Sequence, residues 1–128
     1  IWAALAAKGD PQARLAYGEM LRLGQGGKED FAAAFKQYRL AANAGNRMAQ
    51  YRMGLLRQEG LGAPRNRIHA YAWFSLASTD GMKEALAALN DLEAGMEPEE
   101  INRAQKLAVI WSKRIAKADG HTDVERDA

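Results

Sequence analysis

Two histidines, no cysteine, a few serines and some paired glutamates are all that this 128-residue chain brings toward chemistry. Zinc sites draw about four ligands from Cys, His and carboxylates. His69 and His121 are isolated, and no carboxylate is placed to pair with both. His69 is expected on the outer side of a helix, facing solvent. Ser75, Ser78 and Ser112 have no histidine at a spacing that marks a nucleophile–base pair, although triads are built by the fold and not by sequence distance. Glu99 and Glu100 stand where a helix begins, and the helix dipole accounts for them. The run Gly24-Gln25-Gly26-Gly27-Lys28 has the glycines of a phosphate loop, but no Gly-Lys-Ser/Thr follows and no strand precedes it. These glycines read as helix ends. No catalytic residue, cofactor or metal is assigned, and the chain is not expected to be an enzyme.

Charge narrows the partners. Lys and Arg total 18 against 16 Asp and Glu, a net +2 with both signs interspersed. That is too mild for a nucleic-acid or anionic-membrane footprint. No apolar run approaches the roughly 20 residues of a membrane span. Without cysteine there are no disulfides, which suits a reducing or an oxidising compartment. The first residue is Ile1 and not Met, as in a trimmed or processed chain.

The elements that would position any site are helices. Valine and threonine occur twice each, no stretch alternates β-branched residues, and alanine is abundant. The chain also repeats itself at a spacing of 36: Gly18 with Gly54, Gly24 with Gly60, Gly26 with Gly62, Gly45 with Gly81, Phe35 with Tyr71, Tyr38 with Phe74. Such periods mean stacked supersecondary units. The expected class is all-α, an α-α superhelix (solenoid) of antiparallel helix pairs with a C-terminal cap helix. Its parts are a leading half repeat over 1–9, repeats over 10–45 and 46–81, capping helices over 82–118, and a polar tail over 119–128 expected to be disordered.

Helices are expected over 11–23, 30–44, 47–59, 66–80, 82–94 and from Pro98 to about 118. Asp10 suits an N-cap and Pro11 the first turn. Gly18 and Gly54 sit mid-helix, where glycine costs roughly 1 kcal/mol against alanine. The same cost at the same phase in both repeats predicts a crossing too close for a side chain. Ile101, Ala104, Ala108, Trp111 and Ile115 form one stripe on the last helix.

These residues resemble the Sel-1-like repeat, a relative of the tetratricopeptide repeat. The family pattern reads here as Ala13, Tyr17-Gly18, Gly24-Gln25-Gly26-Gly27, Asp30, Ala34, Gln37-Tyr38, Ala41-Ala42 and Gly45. It reads again as Ala49, Met53-Gly54, Gly60-Leu61-Gly62-Ala63, Asn66, Ala70, Trp73-Phe74, Ala77 and Gly81. Departures are Gly27 and Ala63 for the turn valine and Asn66 for aspartate. The Tyr71–Ala77 run and the segment from Met96 to Ala108 are similar to the last repeat and following helix of bacterial members. The resemblance implies a protein-interaction scaffold or adaptor, bacterial, and periplasmic or secreted in preference to cytoplasmic. Activities described for cysteine-rich relatives are not carried over, since the cysteines are missing.

In helix-pair stacks the first helix of each pair lines the concave surface, and columns that differ between repeats are free to recognise a partner. Three such columns are Leu15/Tyr51, Glu19/Leu55 and Arg22/Gln58, at i, i+4, i+7. The expected partner-binding residues are Arg14, Arg22, Tyr51, Arg52, Leu55 and Gln58. Tyr51 and Leu55 would seat an apolar residue, or else pack against the neighbouring repeat. The arginines would form a basic rim for an acidic protein or peptide partner, as yet unidentified. One alternative is a cell-envelope module binding peptidoglycan or another glycan, with Tyr51 as platform and Trp73 and Trp111 structural. Another is self-association through Trp2 and Leu5 on the unpaired first helix.

Overall fold

The computed structural model describes residues 8–25, 27–117 and 125. The expectations for Trp2, Leu5, Gly26 and all of the tail but Glu125 lie outside these residues. Six α-helices run through the described chain, with no strand: α1 Pro11–Leu23, α2 Phe31–Asn43, α3 Arg47–Glu59, α4 Arg67–Ala77, α5 Lys83–Glu93 and α6 Pro98–Lys117. The chain is all-α, as the periodicity predicts.

Local chemistry starts and stops each helix. The Asp10 side chain accepts the Gln12 N–H, Asp30 that of Ala33, Asn46 that of Ala49 and Asn66 that of His69. The Asn66 departure therefore keeps its cap. Gly9, Gly45 and Gly81, each 36 from the next, hold φ of 90°, 96° and 86°, a left-handed turn that closes one pair and opens the next. Gly24 and Gly60 do the same inside each pair at 74° and 72°. The stretch expected as one helix over 66–80 divides: α4 ends at Ala77 and a 3₁₀ turn follows over Ser78–Asp80. Ser78 Oγ donates to the Ser75 carbonyl at 2.8 Å, a side-chain bond that accompanies the tighter winding.

Packing explains the mid-helix glycines. A Cβ on Gly18 would lie 2.8 Å from Tyr38 Cε1, and one on Gly54 would lie 2.4 Å from Phe74 Cε1. Each second helix thus lays an aromatic ring on the glycine of its first helix, and Tyr38 and Phe74 are fully buried there. One core cluster joins α2, α3 and α4 to Leu107, Ala108 and Trp111 of α6. A second joins Ala70, Tyr71 and Phe74 to Leu92, Met96 and Ala104.

Both α5 and α6 pack on α4. Helix α6 buries Ala104, Leu107, Ala108 and Trp111 and leaves Arg103, Lys106, Val109, Ile110 and Lys113 exposed. Its start is fixed from both sides. The Glu100 carboxylate accepts the Glu97 N–H at 3.0 Å, the returning half of a capping box, and also pairs with Arg67 of α4. Arg67 donates further to the Gly95 carbonyl at 3.0 Å.

Candidate interaction surfaces

The first-helix face is built around one carboxylate. Glu19 of α1 accepts from Tyr38 Oη at 2.7 Å, from Arg22 Nη2 at 2.8 Å and from Arg52 Nε at 2.7 Å, while Arg22 Nε donates to Tyr38 Oη at 3.1 Å. Arg52 lies on α3, so the network bridges the two repeats. Burial by itself would raise the Glu19 pKa, but the hydrogen bonds from Tyr38 and Arg22 and the charges of Arg52 and Arg22 outweigh it and hold the carboxyl below its usual range. Burial and the Glu19 carboxylate push the Tyr38 hydroxyl well above the ordinary phenol value.

The sequence-predicted residues divide on this face. Arg22 and Arg52 join through Glu19, and the Arg52 guanidinium sits 5.8 Å from the centre of the Tyr51 ring. Tyr51 and Leu55 are half-buried, packed against the second core cluster, with the Tyr51 and Phe74 rings 5.9 Å apart. Gln58 is half-buried. Arg14 is buried, which removes it from an exposed rim.

The repeat-to-repeat differences have an internal explanation. Repeat one places Tyr38 over Gly18 and must satisfy a buried hydroxyl, which Glu19 and Arg22 do. Repeat two places Phe74 over Gly54, has no hydroxyl to satisfy, and carries Leu55 and Gln58 at the matching positions. Columns 19/55 and 22/58 thus vary together with 38/74.

A second constellation lies where α3, α4 and α6 meet. His69 does not face solvent as the helix phase predicts. Its side chain is 12% exposed, its ring stands edge-on to Trp111 at 4.9 Å, and its Nδ1 is 3.1 Å from the Glu125 carboxylate. The reason is that α6 covers this side of α4, which spacing within α4 alone does not reveal. The side chain of Glu125 is 6% exposed. Its Oε2 accepts from Trp73 Nε1 at 2.9 Å and from Arg57 Nε at 3.2 Å, and its Oε1 from Arg57 Nη2 at 3.3 Å. An ionised carboxylate only accepts, so His69 presents Nδ1–H. Burial opposes the charge on Glu125, but hydrogen bonds from His69, Arg57 and Trp73 and the charge of Arg57 prevail, holding its pKa below the usual value. Beside His69 opens a groove of about 300 Å³ between α4 and α6, lined by Ile68, Leu107 and Ile110 with Arg103 and Lys106.

Sequence reasoning passed over this cluster, yet a signal was present. Arg57, His69 and Trp73 fall on Leu21, Ala33 and Gln37 of the first repeat, three columns that change together. Trp73 and Trp111 are fully buried, which leaves no indole face for a sugar. Among the described residues no three His, Cys, Asp or Glu gather in a way that would hold a metal ion, and no helix is long and apolar enough to cross a membrane.

Helix pairs repeating in register with a glycine–aromatic crossing define an α-α repeat solenoid. The Sel1 repeat model matches residues 11–46 and 47–82, and the chain belongs to that family. It is similar to a protective antigen present in uropathogenic Escherichia coli strains and displaying an SLR fold, with 31% identity and a TM-score of 0.85 over 90% of this chain. The match spans 25% of that antigen's length. It is also similar to a Sel1 repeat protein from Oxalobacter formigenes, with 32% identity and a TM-score of 0.68, covering 70% of this chain and 68% of that one. No curated protein matches. Sel1 repeat proteins are in general protein-interaction modules, and the fold is typically a non-catalytic scaffold.

Proposed function

We propose that this protein is a non-catalytic adaptor that holds a partner protein or peptide on the concave face formed by α1 and α3. The observation that carries the reading is the charge balance at Glu19. Two arginines of different repeats converge on one carboxylate, which leaves a fixed excess of positive charge beside the half-exposed Tyr51 ring. A fixed cation beside an amphipathic aromatic suits an acidic residue next to an apolar one. Gln58, two turns further along α3 from Tyr51, adds an adaptable polar contact. Arg14 is buried and Leu55 packs against the second core cluster, so the working set is Arg22, Tyr51, Arg52 and Gln58.

Acidic replacements at Tyr51 and Leu55 would disturb the packing on Phe74, so the test uses the arginines. The native chain and an Arg22→Gln/Arg52→Gln variant are immobilised and exposed to extracts of the source cell. A protein retained by the native chain, lost by the variant, and released by salt supports the reading, given unchanged circular dichroism. Equal retention by both places the site elsewhere and overturns it.

A further inference from the structure

We propose that Arg57, His69 and Trp73 form a carboxylate-binding cradle that Glu125 fills in cis, and that an acidic peptide docks there by displacing it. None of these residues belongs to the α1–α3 face, so this proposal stands independently of the function proposed above.

Each donor of the cradle is held by a contact other than the one it makes with Glu125. Arg57 is held by two contacts of its own: Nη1 donates to the Pro64 carbonyl at 3.0 Å, and the guanidinium lies 5.1 Å from the centre of the Phe35 ring. Those contacts leave Nε and Nη2 side by side, the fork that fits two carboxylate oxygens. His69 and Trp73 are one turn apart on α4, and both are locked by Trp111, edge-on to His69 and 4.8 Å from Trp73. Donors from two helices therefore aim at one point, each oriented by a neighbour other than Glu125. Trp73 is fully buried, so its indole N–H depends on an acceptor brought to it.

The occupant's chemistry follows from the donors and their surroundings. The cradle supplies N–H groups and positive charge, which calls for an anionic acceptor, and the planar fork takes the two oxygens of a carboxylate, as it does with Glu125. The adjoining groove carries Arg103 and Lys106 at its edge and Ile68, Leu107 and Ile110 along its wall. Around Glu125 the chain reads Asp119, Asp123, Val124, Glu125, Arg126, Asp127, an acidic stretch with one aliphatic residue, complementary to that lining. Glu125 follows the end of α6 at Lys117 by only eight positions. Because Glu125 belongs to the same chain and already fills the cradle, an external peptide binds well only when Glu125 is removed or outcompeted.

The test uses the full chain, native and Glu125→Ala. The probe is a fluorescein-labelled peptide of residues 119–128, blocked at both ends, alongside its Glu125→Gln form. Fluorescence anisotropy is expected to show the Glu125→Ala chain binding the native peptide at least tenfold more tightly than the native chain does. The Gln peptide is expected not to bind. Adding Arg57→Lys to the Glu125→Ala chain keeps the charge but removes the fork, and should weaken binding at least fivefold. Equal or absent binding to the native and Glu125→Ala chains overturns the proposal. Should Glu125→Ala fail to fold, the near-isosteric Glu125→Gln chain takes its place in the same assay. In that chain the Trp73 indole N–H resonance should move on adding the native peptide, and an unmoved resonance also overturns it.

Discussion

The pairing of Glu19 with Tyr38 invites a double-mutant cycle whose end point repeat two already contains. Glu19→Leu removes the acceptor at 2.7 Å from the Tyr38 hydroxyl. Hydrogen bonds to a charged group contribute ~1.5–3 kcal/mol, and leaving the buried hydroxyl without its acceptor costs in that range. Arg22 and Arg52 also lose their acceptor, but each side chain is 25% exposed and turns to water. The single variant should therefore lose about 2 kcal/mol. Tyr38→Phe alone leaves Glu19 with both arginines and should lose about 1 kcal/mol. Simple addition would put the double variant near ~3 kcal/mol. Yet a leucine at position 19 under a phenylalanine at position 38 reproduces Leu55 beside Phe74, with no polar group stranded, so the double variant should lose only about 1 to 1.5 kcal/mol. The cycle is measured by urea unfolding of the four chains. In thermal melts each kcal/mol corresponds to about 3–5 °C at this size. A coupling below ~0.3 kcal/mol would refute the reasoning, because independent sites add within about that margin. Columns 19/55 and 22/58 would then differ for some reason other than the ring that each repeat buries.

Two further outcomes follow from the same contacts. Gly54→Ala places a methyl 2.4 Å from Phe74 Cε1, and Gly18→Ala one 2.8 Å from Tyr38 Cε1. Overpacking of ~1–3 kcal/mol then exceeds the helix-propensity gain of ~1 kcal/mol, so Gly54→Ala should melt lower than the native chain and lower than Gly18→Ala. Gly27→Ala meets nothing within 4 Å and should leave stability unchanged or slightly higher, in keeping with Ala63 at the matching position. The third outcome concerns pH. The Glu125 pKa is lowered by folding, so its contribution is present above the ordinary glutamate value of ~4.3 and is lost as pH falls through the lowered value. The stability gap between the native and Glu125→Gln chains, about 1–3 kcal/mol at pH 7, should shrink steadily below pH ~4. A gap of the same size at pH 7 and pH 3 would show that the carboxylate charge does not hold the cradle together.

The helices were legible because the signals that set them are local. Asp10, Asp30, Asn46 and Asn66 each cap within three residues, and the turn glycines lie next to the helices they end. The Gly18 and Gly54 crossing was legible for a different reason. A destabilising residue kept at one phase in two repeats calls for a contact, and periodicity indicates that the contact lies within the unit. The candidate sites were less accessible. Arg14 reads as a rim residue and His69 as a solvent-facing one from helix phase, but Arg14 is buried and His69 is covered by chain that its own helix does not contain. For His69 that cover is Trp111 of α6 and Glu125 beyond it.

Comparing repeats column by column has a related weakness, since it treats each column as independent. Glu19, Arg22 and Tyr38 change as a set to Leu55, Gln58 and Phe74, and Leu21, Ala33 and Gln37 change as a set to Arg57, His69 and Trp73. Both sets are contiguous in space and far apart in sequence. The first set satisfies itself: its hydroxyl, carboxylate and guanidinium close on one another within the repeat and its neighbour. The second set does not. Its donors converge on a point that no residue of the repeat fills, and a carboxylate from outside the repeat supplies the acceptor. In a stack of near-identical units, a group of columns that varies together and closes on itself is explained by packing, and what it offers a partner is the positive charge left over once Glu19 is paired. A group that varies together and takes its acceptor from outside the repeat is not explained by packing within the unit, and the cradle proposed above rests on that difference.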